Sequence, residues 1–212
     1  VVAHQVYAAY RRMDLRGQKE ILGRAEVYEP SVREAARVFG LDAELLLGIA
    51  STESSFHPRP SQDGGQGLFQ ITRVPRQAEE RARQLLEVDR LDPFNQKHNA
   101  FVAAATLEDY AKRMKGDLLL TLLAYNIGPH NGGLEFVMNR YGARNFAQVQ
   151  PYLQDLPRDY PIRVLSHALT FRIWRHFRDL PRFEDGEWAA RIQELGIPGL
   201  HGDRNLFAAT TS

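Results

Sequence analysis

A chain of 212 residues, 43% apolar and with 27 Lys and Arg against 26 Asp and Glu, has the material for one ordinary folded core, as one large domain or one domain with an extension. Its formal net charge of +1 provides no electrostatic basis for nucleic acid or an anionic membrane as the main partner. The absence of cysteine excludes disulfides, thiolate metal sites and cysteine nucleophiles and leaves the compartment open.

No apolar run approaches the ~20 residues of a membrane span, and the start Val1-Val2-Ala3-His4 lacks the charged-then-apolar order of a secretory signal. Apolar residues at helical intervals, Val6, Ala9, Tyr10 and Met13, then Ile21, Leu22 and Ala25, predict two amphipathic helices through about Tyr28. Glu29-Pro30-Ser31 starts a third helix, since proline costs little in a first turn, and Gly40 ends it after Phe39. Asp42 caps the next helix, which carries Leu45, Leu46, Leu47 and Ile49 and reaches Glu53. From Phe56 to Gly67 the chain is rich in Pro, Gly, Ser and Asp, which favours a loop or small hairpin. Helical patterning resumes after Pro75, then from Asn95 to about Met114, and from Asp117 to Tyr125, stopping at Asn126-Ile127-Gly128-Pro129. Further helices are predicted near Leu134 to Arg140, Asn145 to Leu153, Arg163 to Arg178 and Trp188 to Leu195. Arg11-Arg12 and Arg81-Ala82-Arg83 read as solvated helix faces, and Trp174 and Trp188 as core or seam residues. The fold class is predominantly α.

Glu53 closes an apolar helical run. A carboxyl group there loses hydration, which raises its pKa and keeps it protonated nearer neutrality, as a proton donor requires. The plain alternative is a solvated residue at a helix end. Three other segments place polar side chains at unusual backbone. Ser61 to Ile71 holds closely spaced glycines that permit positive φ; it lacks the Gly-Lys-Ser/Thr of a phosphate loop. Ala124-Tyr125-Asn126-Ile127-Gly128-Pro129 puts a phenol and an amide where a helix breaks, and Tyr160 stands at an element boundary in Leu156 to Leu165. Each also has a structural explanation, as a helix-ending asparagine or a buried, satisfied tyrosine.

Together these segments resemble the lysozyme-like catalytic domain of lytic transglycosylases that cleave bacterial peptidoglycan. The family's Glu-Ser element stands at Glu53-Ser54, its Ser-x-x-Gly-Ala-x-Gly-Leu-Met-Gln-Ile element at Ser61 to Ile71, its Ala-Tyr-Asn-Ala-Gly-Pro element at Ala124 to Pro129, and its Tyr-Val-x-x-Val-Leu element at Tyr160 to Leu165. Asp92-Pro93 with Asn95 is similar to the segment before the family's long middle helix. The chain departs at Gly65 for alanine, Phe69 for methionine, Ile127 for alanine, Asn99 for glycine and Pro161 in the last motif.

The resemblance implies a lysozyme-like helical fold with a loop or hairpin near 56–71, divided into a helical extension over 1–40, a transglycosylase domain over 41–178 and a tail with a short helix over 179–212. It implies cleavage of the β-1,4 bond between N-acetylmuramic acid and N-acetylglucosamine without water, with Glu53 acting first as acid and then as base, which leaves 1,6-anhydro ends. Ser61 would orient the acetamido group, Phe69 would shape a sugar subsite, Gln70, Tyr125 and Asn126 would line the cleft, and Tyr160 would hold Glu53. Two alternatives stay open: a hydrolytic muramidase pairing Glu53 with Asp63, and a silent peptidoglycan-binding module. Asp63 reads by itself as a solvated turn residue. No metal or cofactor is expected, because His4, His57, His98, His130, His167, His176 and His201 lack ligand spacing. No Gly-x-Ser-x-Gly elbow makes Ser54 a nucleophile. The implied partner is the peptidoglycan glycan strand, and the implied place is the periplasm or cell envelope.

Overall fold

In the computed structural model, which describes residues 1–130, 133–184 and 186–200, the apolar run Leu45, Leu46, Leu47, Ile49 and Ala50 becomes a fully buried stretch of helix. The order is α1 (Val2–Arg12), α2 (Leu15–Ala25), α3 (Glu29–Phe39), α4 (Ala43–Ser54), α5 (Arg76–Leu86), α6 (Gln96–Arg113), α7 (Leu118–Ile127), α8 (Leu134–Tyr141), α9 (Phe146–Val149), a 3-10 turn (Gln150–Tyr152), α10 (Asp155–Phe177) and α11 (Trp188–Leu195). The expected caps do their work: Asp42 accepts from the N–H groups of Glu44 and Leu45, Asn95 from Lys97 and His98, and Asp117 from Leu120. Gly40, at φ 66°, ends α3 in the left-handed conformation. The 56–71 segment contains only an isolated antiparallel bridge, Gln66 to Ile71, and no strand is present among the described residues.

Two predicted helices differ from those observed. α10 begins at Asp155 rather than Arg163, so Tyr160 lies inside a helix and not at its boundary. Pro157 falls in the first turn, where a missing donor is harmless, and Pro161 forfeits only the bond to the Pro157 carbonyl. Burial of Tyr160, Val164 and Leu165 holds the helix through that gap. The segment expected as one helix from Asn145 to Leu153 instead passes into the 3-10 turn, because Pro151 has no N–H to continue the α pattern.

α4 packs most extensively on α10, which also carries α1 along its length, while α6 packs on α3 and α5. Gly48 permits the α4–α10 approach: a Cβ there would lie 2.7 Å from the Val164 carbonyl oxygen and 2.8 Å from both the Ala168 nitrogen and its Cβ. The N- and C-terminal segments meet over α10. Tyr7 stacks on Trp188 at 4.6 Å, and the Tyr7 and Tyr10 hydroxyls donate to the Phe183 and Pro181 carbonyls, each at 2.8 Å. Trp174 and Trp188 are half-buried seam residues. The Arg81 face is less solvated than expected: its guanidinium lies 5.1 Å from the Phe39 ring centre and pairs with the buried Glu108. The tail expected over 179–212 is described only to residue 200; His201 and the rest lie outside the described residues.

A second, smaller apolar cluster gathers Tyr110, Met114, Leu123, Leu134, Phe146 and Val149 beneath α7 to α9. Tyr125 packs against both clusters and so marks the seam between them.

Candidate active site

Glu53 occupies the last turn of α4, and the backbone stops immediately beyond it. Ser55 and Phe56 both take positive φ, 49° and 59°, a conformation that costs non-glycine residues of order 1 kcal/mol or more each and persists where surroundings impose it. Those surroundings are specific. The Ser55 N–H bonds the Ser51 carbonyl at 2.9 Å, Arg24 of α2 donates to the Ser55 carbonyl at 3.0 Å, and the Phe56 ring is buried against Phe171.

α10 delivers the partner. The Tyr160 hydroxyl, from a side chain 1% exposed, donates to Glu53 Oε1 at 2.5 Å. Burial pushes the Glu53 pKa up to about 7. The Tyr160 hydrogen bond and the positive charge of Arg163 pull it down, and the negative charge of Asp63 adds a smaller push upward. Tyr160 and Tyr125 both have pKa values raised well above the phenol range, first by burial and then by the charge of Glu53, so both are neutral hydrogen-bond donors beside the acid.

The glycine-rich loop reaches this centre through backbone more than through side chains. Phe69 is fully buried, which corrects the expectation that its ring shapes a sugar subsite; an aromatic ring at this position completes the core. Its backbone faces the site instead: the N–H donates to Asn99 Oδ1 at 2.9 Å, and its carbonyl accepts from the Tyr125 hydroxyl at 3.1 Å. Gly67, at φ 75°, admits no side chain, since a Cβ would stand 2.2 Å from the Pro93 carbonyl oxygen. Gln70 also has positive φ, 48°, and spends its amide donors on the Arg59 and Gly67 carbonyls at 2.7 and 2.8 Å. Its Oε1 remains as the acceptor that a ligand can use.

Ser61 donates to Asp63 Oδ1, and the Ser61 N–H bonds the Gly65 carbonyl at 2.8 Å. Asp63 is exposed, and its pKa is lowered by the Ser61 hydroxyl and then by the Gly65 N–H. It is a solvated turn carboxylate tied into its own loop. Asn126 is exposed at the end of α7.

Gln70, Tyr125, Asn126 and Asp63 line a groove of about 710 Å³ between residues 70–77, α6 and the end of α7. Glu53 is not among the groove's lining residues. It stands where α4 meets α10, and Tyr125, which lines the groove, feels its charge.

Two residues near this site escaped the sequence reading. Asn99, legible there only as a departure from glycine, is 2% exposed and clamps the loop from α6, accepting from Phe69 and donating to the Gln66 carbonyl at 3.3 Å. Its signal was an amide on an otherwise apolar face beside Ala100 and Ala103. Arg163, one turn beyond Tyr160, lies 5.8 Å from that ring's centre and donates to the Leu156 carbonyl at 3.3 Å. Farther along α10, His167 meets Ser51 Oγ at 3.0 Å, and burial together with Arg163 lowers its pKa to about 4, so it is neutral at neutral pH.

The family profile described as the transglycosylase SLT domain matches residues 30–145, more than half of the chain. The chain belongs to the transglycosylase SLT domain family. Within this family it is similar to membrane-bound lytic murein transglycosylase C of Actinobacillus succinogenes, 48% identical over 56 residues that make up 26% of this chain and 15% of the relative. It is also similar to the protein of the same name from Haemophilus influenzae strain PittEE, 47% identical over 49 residues, 23% of this chain and 14% of that one. The matched segments are thus small parts of much longer relatives. Among solved structures, an inactive mutant of the lytic transglycosylase Slt from Pseudomonas aeruginosa superposes with a TM-score of 0.51 at 18% identity, covering 85% of this chain and 35% of that one. That likeness is one of fold, a lysozyme-like helical domain.

Proposed function

We propose that this SLT domain is a lytic transglycosylase acting on the glycan strands of peptidoglycan, with Glu53 as its lone acid and base. The observation that carries this reading is the half-buried Glu53 carboxyl, whose pKa burial pushes up to about 7 and which the Tyr160 hydroxyl holds at 2.5 Å. An acid poised near neutrality can donate a proton and take one back within a single cycle.

In the proposed reaction Glu53 protonates the oxygen of the β-1,4 bond between N-acetylmuramic acid and N-acetylglucosamine, and the bond from the muramoyl anomeric carbon to that oxygen breaks. The substrate's acetamido oxygen stabilises the electron-poor carbon. The Glu53 carboxylate then removes the proton from the muramoyl 6-hydroxyl, whose oxygen bonds the anomeric carbon and closes a 1,6-anhydro ring; Glu53 ends protonated as it began. Tyr160 holds the carboxyl in both states, because its neutral hydroxyl donates to either. Ser61 orients the acetamido group by exchanging its bond to Asp63 for one to the substrate, while Gln70 Oε1, Tyr125 and Asn126 line the sugar path. Phe69 contributes its carbonyl, which fixes Tyr125.

A hydrolase would need a second carboxylate to direct water. Asp63 is the carboxylate whose charge Glu53 feels, and its ties to Ser61 and Gly65 favour its reading as a turn residue. We place the catalytic unit at 41–178, with 1–40 as a packed helical extension and 179–212 as a tail. The setting that fits the substrate is the periplasm or cell envelope; no helix of the described residues is long and apolar enough to cross a membrane.

Digestion of purified sacculi, with the mass of the released muropeptide ends, tests the reading. The expected products end in 1,6-anhydro sugar, one water lighter than a reducing end, and Glu53→Gln lowers their release about 10³-fold. Reducing ends alone would establish a hydrolase, and equal release by a folded Glu53→Gln variant would remove Glu53 from the chemistry.

A further inference from the structure

The groove lined by Tyr125 and Asn126 carries charge that neutral sugars do not call for. Its lining includes Arg73, Arg76 and Arg113 together with the carboxylates of Asp109 and Asp63. Asp63 is committed to Ser61 and Gly65. Arg113 is paired with Asp109 on its own helix at 3.1 Å, and Arg76 with Glu80 on its own helix at 2.9 Å. Arg73 differs from both. It is exposed on the groove wall, two residues after the Gln66–Ile71 bridge, and among the described residues its guanidinium has no ion pair or hydrogen bond.

The flanks of this cationic stretch are apolar, supplied by Ile71, Val74, Ile127 and Pro129. A ligand suited to such a surface has small aliphatic groups and at least one anionic group that can accept a forked pair of N–H donors. The glycan backbone is uncharged at its sugar hydroxyls and acetamido groups. The muramoyl residue, however, bears a short peptide whose alanine methyls and carboxylates have both properties.

We propose that this groove holds the peptide stem of peptidoglycan and that Arg73 pairs with one of its carboxylates, making Arg73 a determinant of substrate preference. The proposal rests on the reading of peptidoglycan as substrate. The groove is connected to the acid through Tyr125, which lines it and feels the charge of Glu53, and Gln70 and Asn126 line it as well. Arg76 and Arg113, already paired with Glu80 and Asp109, give a weaker grip.

The test uses the Glu53→Gln protein, so that binding is read without turnover. Three fluorescently labelled soluble glycan probes are titrated: peptide-bearing strands, the same strands stripped of peptide by an amidase, and peptide-bearing strands whose carboxylates have been converted to amides. Adding Arg73→Gln is expected to raise Kd for the first probe roughly tenfold, the size of one charge-assisted hydrogen-bonded contact, and to change the other two less than twofold. Arg73→Glu is expected to weaken the first probe further. An equal change on all three probes, or none on the first, overturns the proposal. Release from sacculi by the protein with Glu53 intact is measured in parallel: failure of release sinks the enzymatic reading, while the binding ratios still decide the role of Arg73.

Discussion

The two walls that meet at Glu53 are built on opposite principles. One is the α4–α10 pair, two long helices in close backbone contact at Gly48, with Tyr160, Val164 and Leu165 buried between them. The other is the segment from Phe56 to Pro75, which has a single isolated bridge and is held by individual hydrogen bonds from Ser61, Gln70, Tyr125 and Asn99. The first wall sets the protonation of the acid through desolvation, which requires dense and distant packing. The second presents backbone and small polar groups, which a ligand approaches most closely where side chains are absent. Division of labour of this kind lets the acid stay fixed while the loop meets substrate.

Three changes break or sharpen this contrast. Gly48→Val strikes the helix pair directly. Its new atoms would collide with Val164 and Ala168 backbone that cannot rotate away, so a loss of about 3 kcal/mol is expected in chemical denaturation, with activity lost through displacement of Tyr160. An unchanged denaturation midpoint would show that the two helices slide freely.

Asn99→Ala strikes the loop wall instead. It strands the buried Phe69 N–H and removes the donor to the Gln66 carbonyl, at an expected cost of about 2 kcal/mol. Because the damage is local, the apparent pKa of Glu53 in the pH–rate profile should stay near that of the unaltered protein while KM rises. A shifted pKa with unchanged KM would mean that the loop, and not α10, governs the acid.

Tyr160→Phe has the smallest expected effect on stability and the clearest effect on pH. Glu53 must be protonated to act as acid, so with its pKa at about 7 the rate is expected to fall as pH rises through neutrality. The Tyr160 hydrogen bond favours the carboxylate, so its removal raises the pKa and moves the descending limb to higher pH, by roughly one unit or less. A shift to lower pH would overturn the assigned role. The linked stability follows the same sign. The folded protein holds the Glu53 proton more tightly than the unfolded chain does, so this group's contribution is fully present below about pH 4.5 and is lost as pH rises toward 7.

Much of the helical order was legible in the sequence because helix ends are decided within a few residues. Asp42, Asn95 and Asp117 cap their own helices, and Gly40 and Gly128 follow theirs. The start of α10 is hidden in the sequence for an equally physical reason: Pro157 and Pro161 are local signals against a helix, and the burial that outweighs them comes from packing on α4. The position of Phe69 in the motif says nothing about which way its ring turns; the loop folds it inward, where the core accommodates it.

The sequence by itself determined that the chain is helical, that an acid closes an apolar helix, and that a glycine-rich loop follows it, since propensity, capping and positive φ are properties of neighbouring residues. Only the tertiary structure decided that burial pushes the pKa of this acid up to about 7, that Tyr160, 107 residues away, donates to it, that Asn99 rather than a loop residue anchors the Phe69 backbone, and that Arg73 lines a groove with no partner among the described residues. Desolvation, hydrogen-bond partners and the field of neighbouring charges depend on which distant segments fill the space around a group, and that is settled when helices far apart in the chain pack together.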